Sequence, residues 1–365
     1  MPIPITASRR RNSGRQAAWP EYAERRNSMK PRLPETSAVL AVRRGVREWV
    51  AARGGRMPAV VGLSGGADSL ALVAAAVVEA GDVTAVVVDH RLQDGSGEVA
   101  ERAAEQALAL GCVEAQVLPV EVGREGGIEA AARAARYAAL ESVRAGRPVL
   151  LGHTLDDQAE TVLLGLARGS GGRSIHGMTA WNPPWGRPLL GVRRAETVQM
   201  CADLGVEPWD DPHNLDPAYT RVRVRTEVLP LLEDVLGGGV AQALARTADQ
   251  LRADGEVLDA LTADLLRAAS AGASGPGDSD RPAVSVEILA TAAPALRRRT
   301  IRAWLAEQGV SGLLNAHLQA IDELVSNWRG QGGVAVAGGG RDHRLVVTRE
   351  HGTLTVRVQP RNDAT

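Results

Sequence analysis

Between residues 59 and 168 the chain alternates short apolar runs with longer amphipathic ones, and this alternation restricts its fold more than any other feature. AVVGL (59–63), TAVVVDH (84–90), EAQVLPVEV (114–122) and PVLLGH (148–153) have the length and β-branched content of strands. SLALVAAAVVEA, EVAERAAEQALALG, GIEAAARAARYAALESVRAG and DDQAETVLLGLAR follow them in turn with helical periodicity. Such regular exchange of periods predicts a parallel sheet with helices on both faces. PLLGV and RRAETVQMCADLG (188–205) read as one further strand–helix unit. Ligands of open sheets of this kind lie beyond the carboxyl ends of the strands. Polar residues stand there at Ser64–Ser69, Asp89-His90 and His153–Asp157.

The flanks have different character. Residues 1–35 are arginine-rich, lack the apolar core of a signal peptide, and read as a basic, disordered arm. Residues 36–240 hold the strand–helix repeat and form the expected catalytic domain. Residues 241–355 read as a smaller mixed domain: a long helix, a Ser/Gly/Pro loop at 270–282, two further helices, and a tail whose apolar and polar residues alternate as in antiparallel strands. No apolar run reaches the 18 residues of a membrane span. Cys112 and Cys201 are too few and too far apart for a disulfide framework or a zinc pattern, which suits a reducing, cytoplasmic setting. Net charge is −1, so the chain is no globally basic nucleic-acid coat, although local basic surfaces remain open. Lys30 is the only lysine; every other basic residue of the 42 is arginine. No lysine within the predicted domains is therefore available as a Schiff base, a phosphate ligand or a nucleophile.

Ser64-Gly65-Gly66-Ala67-Asp68-Ser69 joins an apolar strand to a helix. Its glycines let the backbone approach an anion, and Ser64, Ser69 and the helix N–H groups can meet phosphate oxygens. Asp68 is out of place in a pure anion nest; a carboxylate beside phosphates calls for a cation, here magnesium. The loop is neither a Walker A nor a dinucleotide-binding pattern.

This loop resembles that of the ATP pyrophosphatase superfamily, whose members cleave ATP between its α and β phosphates. The resemblance narrows at Gly152-His153-Thr154-Leu155-Asp156-Asp157-Gln158-Ala159-Glu160-Thr161, which looks like the signature of the tRNA(Ile)-lysidine synthase family. Val88-Asp89-His90-Arg91-Leu92, then Glu129, Arg133, Arg136 and Tyr137, resemble the same family. So do Arg168-Gly169-Ser170-Gly171, Gly177-Met178, Arg187-Pro188-Leu189-Leu190, Asp211-Pro212-His213-Asn214, and Arg221, Arg223, Arg225 and Pro230. The likeness covers roughly residues 40–235 and continues more weakly through Arg297–Arg299, Arg302, Trp304 and His317. Departures stand at Leu92-Gln93, at Val222, and at Ser174-Ile175-His176; none touches the phosphate loop or the paired aspartates.

The resemblance implies an adenine nucleotide alpha hydrolase-like α/β domain followed by a small tRNA-binding domain. It implies ATP and magnesium as cofactors, and free L-lysine and the CAU-anticodon tRNA(Ile) as partners. The implied reaction adenylates C2 of cytidine 34, which lysine then attacks to form lysidine. Asp68 and Asp157 are the expected metal ligands, with His153 and Arg221 as further catalytic groups. Ser64, Gly65, Gly66, Ser69, Asp89, His90 and Arg136 are expected around the nucleotide. Lysine must attack as a neutral amine although its ordinary pKa is about 10.4. Asp89, Glu129, Asp156 and Glu160 are all candidates to bind its ammonium or accept its proton. Arg221, Arg223 and Arg225 share one face if the segment is extended and spread around the axis if it is helical. One of them is expected at the phosphates and others at tRNA, together with Arg297, Arg298 and Arg302 in the second domain. Trp181, Trp185 and Trp209 offer stacking surfaces for an unstacked cytidine, with ordinary packing the plainer reading. A tRNA thiolation enzyme fits less well, since no C-x-x-C pair is present, and a non-catalytic nucleotide-binding RNA protein would leave Asp68 and Asp157 idle. A homodimer remains open.

Overall fold

The computed structural model describes residues 32–360 apart from 94, 124–126, 170, 213–215, 274–281 and 341–342, and leaves aside the side chains of 128 and 129. Most of the basic N-terminal arm, with Lys30, lies outside the described residues, as do Ser170, His213, Asn214 and the Glu129 side chain. Two compact units are present: one holds the residues up to Thr161 together with Met178–Gln242, the other Val162–Gly177 together with Ala243 onward.

The first unit opens with α1 (Ser37–Ala51), capped by the Thr36 side chain, which accepts from the Val39 N–H. There follow β1 (Ala59–Leu63), α2 (Ala67–Glu79), β2 (Val83–Asp89), α3 (Ser96–Ala109), β3 (Glu114–Pro119), α4 (Ile128–Val143), β4 (Val149–Leu151) and α5 (Leu155–Arg168). The expected repeat is thus present, and β1 pairs in parallel with both β2 and β4. Short strands β5 (Trp181–Asn182) and β6 (Trp185–Gly186) complete a sheet of order β3-β2-β1-β4-β6-β5, with β6 parallel to β4 and β5 antiparallel to β6. The fifth parallel strand is therefore Trp185–Gly186, and PLLGV, read as a strand from its apolar run, is a turn leading into α6 (Arg194–Asp203). Leu189 and Val192 in this turn are buried, which explains the apolar run without a strand.

Alternation along the strands divides the core. Ala59, Val61, Ala85 and Val87 face a layer built with α1, α2, α3 and α6, whereas Val60, Val86, Val149 and Leu151 face Leu140 of α4. Each buried Val or Leu contributes roughly 1.5–3 kcal/mol over exposure, so a one-residue slip of β1 would cost both layers at once. Chain order reverses beside β1: β2 and β3 lie to one side, β4 to the other. The crevice at such a reversal, between the carboxyl ends of β1 and β4, is where an open sheet of this type offers a ligand seat.

After α6 come α7 (Thr220–Arg223), a π-helical turn (Val224–Val228) and α8 (Leu229–Val235), so the arginine segment is helical rather than extended. The second unit includes most of α9 (Val240–Ala271), then β7 (Ala283–Ser285), α10 (Val286–Ala290), α11 (Pro294–Glu307), α12 (Asn315–Ser326), β8 (Val334–Val336), β9 (His343–Glu350) and β10 (Thr353–Pro360). Its four strands form an antiparallel sheet of order β7-β10-β9-β8 around a core that includes Trp304, Leu305, Ile321 and Val347. No single described helix is long and apolar enough to cross a membrane.

Candidate active site

The β1–α2 loop is shaped by two glycines that act for different reasons. Gly65 has φ of +82°, a left-handed conformation that side chains rarely adopt, and its carbonyl accepts from the Trp209 N–H at 3.0 Å. Gly152, just past β4, packs so closely that a Cβ would stand 2.9 Å from the Asp68 carbonyl oxygen and 3.1 Å from the Ser69 nitrogen. Ser69 is buried and braces the loop: its hydroxyl donates to the Gly66 carbonyl (2.9 Å) and accepts from the Ser64 N–H (3.2 Å). Ser64 keeps an exposed side chain.

Beside the loop's end, three carboxylates, Asp68 of the loop itself among them, meet two guanidinium groups. Asp157 at the start of α5 has one oxygen, Oδ2, tied to the N–H and hydroxyl of Thr154, both at 2.8 Å. Its Oδ1 accepts from Arg194 Nη2 at 2.6 Å and from Arg225 Nη2 at 3.2 Å. Asp68 is arranged in the same way. Its Oδ1 accepts from the Thr197 hydroxyl, and its Oδ2 faces Arg194 Nε at 3.4 Å. Glu160 is wholly buried and accepts from Arg225 Nε (2.7 Å) and Arg194 Nη1 (3.3 Å), with Arg221 3.9 Å away.

These surroundings push the two aspartates apart. Burial raises the Asp68 pKa, and the opposing pull of Arg194 and Thr197 does not cancel it. Burial acts on Asp157 too, but Arg194, the Thr154 N–H, His153 and Arg225 outweigh it and hold that carboxyl below the usual range. Arg194 is desolvated, yet the charges of Asp157, Asp68 and Glu160 hold its pKa well above the ordinary value, so it is a fixed cation.

Asp156 takes a different direction from its neighbour. It accepts from Arg193 Nε at 3.2 Å and from the Arg194 N–H at 2.7 Å, and so anchors the N-terminus of α6. Two adjacent aspartates and two adjacent arginines each split, one member to the anchor and one to the site.

A cavity of about 470 Å³ opens at this crevice, lined by Ser64, Asp68, His153, Asp157, Arg194 and Arg225 among others. This is ample for a nucleotide-sized ligand. His153 is desolvated, which lowers its pKa to about 4, and its Nδ1 has no hydrogen-bond partner. It faces the cavity as a neutral imidazole. A smaller cavity of about 150 Å³ is lined by Asp89, His90, Arg136, Trp209 and Asp211. Ser64, Arg136 and Trp209 line both. Asp89 Oδ1 accepts from the Arg91 N–H (2.9 Å) and the Ser96 hydroxyl (2.7 Å), so it shapes the β2–α3 loop. Both ring nitrogens of His90 lack partners, and burial lowers its pKa. Trp181 stacks edge-on against Trp49, and Trp185 against Tyr137, which is packing; of the three candidate tryptophans only Trp209 lines these cavities.

The remaining arginines divide. Arg225 lies in the site, and Arg221 adjoins it through Glu160 and the Thr161 hydroxyl (3.4 Å). Arg223 points elsewhere and pairs with Glu227 at 2.8 Å. In the second unit Arg302 is exposed, Arg298 is half-buried, and Arg299 pairs with Asp259 at 2.9 Å. Arg297 corrects the expectation of an RNA-gripping cluster: it is 6% exposed, and its guanidinium closes on Asp322 with contacts of 2.5 and 3.3 Å. Its helical position turns it inward beside Ile301 and Trp304, so it has no free face for a tRNA phosphate. Sequence reasoning missed Arg194 and Thr197. The one available signal was their place, directly after an apolar turn and opening a helix behind the loop.

A glycine loop at the β1/β4 reversal, whose Asp68 shares a nucleotide-sized cavity with Asp157, defines a PP-loop nucleotide-binding domain, and the PP-loop domain model matches residues 42–232. The TilS substrate binding domain model matches residues 285–355. The chain is 64% identical to the tRNA(Ile)-lysidine synthase of Nocardia farcinica over 325 residues, covering 88% of this chain and 99% of that protein. It is 60% identical to the enzyme of the same name from Rhodococcus jostii, covering 90% of this chain and 98% of that one. The match to the Mycobacterium tuberculosis protein so named is 57% identical, covering 82% and 91%. The chain belongs to the tRNA(Ile)-lysidine synthase family, a family of ligases.

Proposed function

We propose that the chain joins free L-lysine to C2 of cytidine 34 in the CAU anticodon of tRNA(Ile), in two steps within the β1/β4 crevice. In the first, the C2 carbonyl oxygen attacks the α phosphorus of ATP and pyrophosphate leaves. In the second, the lysine ε-nitrogen attacks C2, the C–O bond to the adenylate breaks, AMP leaves, and the amine proton passes to a carboxylate. The observation that carries this reading is that Asp68, within the glycine loop, and Asp157, at the start of α5, line one cavity in a chain of this family.

The Ser64–Ser69 loop seats the phosphates, with the Ser64 hydroxyl and the N-terminus of α2 as donors. Arg225 and Arg136 stand on the cavity wall to meet developing negative charge, while the neutral His153 offers a hydrogen bond through its unpaired Nδ1. Asp68 Oδ2 and Asp157 Oδ1 are hard donors that suit magnesium, which takes one or two carboxylates beside phosphate oxygens and water. Among the described residues no group of three His, Cys, Asp or Glu side chains makes a metal cage, so the pair fits a cation that arrives with the nucleotide. Bound there, magnesium would neutralise the phosphates and draw electrons from the leaving pyrophosphate. Asp89 shapes the β2–α3 loop, Asp156 anchors α6, and Glu160 is wholly buried against Arg225 and Arg194, so each of these three lysine candidates is engaged in local structure. In the second unit, exposed Arg302 and half-buried Arg298 are the phosphate-binding candidates of their run.

Incubation of the protein with ATP, labelled lysine and a CAU-anticodon tRNA(Ile) should give tRNA-bound label together with AMP and pyrophosphate. Label should disappear when C34 is replaced. Absence of lysine incorporation by folded protein would overturn the reading.

A further inference from the structure

We infer that Arg194 is a built-in placeholder for the divalent cation: its guanidinium occupies the free oxygens of Asp68 and Asp157 and must give them up when the metal arrives. The inference rests on the magnesium reading above and extends it to a residue with no assigned role.

Asp157 Oδ2 is consumed by Thr154, and Asp68 Oδ1 by Thr197. Each carboxylate is thus pinned through one oxygen, and the other is the less committed to its own backbone and hydroxyl neighbours. Both remaining oxygens face the same side chain, Arg194, through Nη2 at 2.6 Å and Nε at 3.4 Å. A cation held by both aspartates must take the two oxygens that Arg194 now satisfies.

Arg225 cannot fill this role. Its closest contact is Glu160, it reaches Asp157 through one nitrogen, and no contact joins it to Asp68. Arg194 also sits at the first turn of α6, three residues before Thr197, so one helix end supplies both the pin and the placeholder for Asp68. Its value follows from electrostatics. Without a cation between them the two carboxylates would repel and lose their spacing. The Arg194 guanidinium holds the two carboxylates spaced, and it sets a threshold that a lone metal ion must overcome.

Manganese(II), detected by electron paramagnetic resonance, tests this with the full-length chain, with and without ATP. Wild type should bind manganese weakly alone and tightly with ATP. Arg194→Gln should bind it without nucleotide about tenfold tighter or more, a difference of ~1.4 kcal/mol. Adding Asp157→Asn should remove the gain. A merely structural arginine would give no gain in metal affinity. Unchanged or weaker nucleotide-free binding in Arg194→Gln, with manganese still held in the presence of ATP by wild type, would overturn the placeholder and leave the magnesium reading standing. Failure of wild type to hold manganese even with ATP would defeat both. If Arg194→Gln does not fold by circular dichroism, Arg194→Lys serves instead. Its single ammonium cannot span both carboxylates, so it should show a smaller gain of the same sign, and no gain overturns the inference.

Discussion

Two arginine-rich stretches of this chain look alike in sequence and behave in opposite ways. In the first unit Arg194, Arg221 and Arg225 converge on Asp68, Asp157 and Glu160 around an open cavity. In the second unit Arg297, Arg298, Arg299 and Arg302 diverge along one helix: Arg297 to the core, Arg299 to Asp259, Arg298 half-buried within 3.9 Å of Asp322, and Arg302 toward solvent. Arginine content says that charge is present. Only the position of the facing acid tells whether the charge is a fold element, a site element or a free surface.

The largest test of this contrast lies at Arg297. Arg297→Ala would leave the buried Asp322 with Arg298 Nε at 3.9 Å in place of its close pair, so urea unfolding should show a loss of ~3 kcal/mol, the low end for a broken buried pair. A loss below ~1 kcal/mol would return Arg297 to the surface class. Next is Asp68→Asn, which keeps the shape of the side chain but removes a site charge. Release of pyrophosphate should fall by ~10²–10³ or more while the unfolding midpoint stays near wild type. Retained full activity would reject its place at the phosphates.

His153 tests whether the arginine-rich pocket maintains a neutral base. Its folded pKa, near 4, lies below the ordinary 6.5, so its contribution is complete above about pH 6.5 and is lost as pH falls toward 4. Between pH 7 and 5 the native state should lose ~2 kcal/mol from this group. Urea unfolding at both pH values should show a correspondingly shallower acid slope in His153→Gln; equal slopes would mean the imidazole is not depressed. The smallest effect belongs to Arg302→Ala. Stability should stay within ~0.5 kcal/mol, while the salt dependence of tRNA binding should flatten by roughly one phosphate contact. An unchanged slope would remove Arg302 from the tRNA surface.

Much of the first unit is legible from residue order because local periodicity and burial agree there. AVVGL, TAVVVDH and PVLLGH become strands since their alternate residues reach two different cores. The Ser64–Ser69 loop and the His153–Asp157 segment are legible because both follow such strands. PLLGV misleads because a buried turn and a buried strand have the same apolar composition. Arg194 is hidden for another reason: Arg193 and Arg194 are identical neighbours, and only the start of α6 sends one to Asp156 and the other to Asp157. Arg297 is masked in the same manner, since three consecutive arginines on a helix must point in three directions and sequence does not mark which points inward. The π-helical turn at Val224–Val228, which bears Arg225, left no readable signature.

Gly152 carries a consequence for how such a site can change. The wall after β4 and the floor made by the β1–α2 loop touch backbone to backbone, with no side chain between them to trim or enlarge. The two halves of the seat, drawn from strands separated by the 85 residues between Leu63 and Val149, therefore have no independent adjustment. Lengthening or reshaping one would require a matching displacement of the other. Variation in this protein is consequently channelled to the rim of the cavity, where side chains rather than main chain meet the ligand.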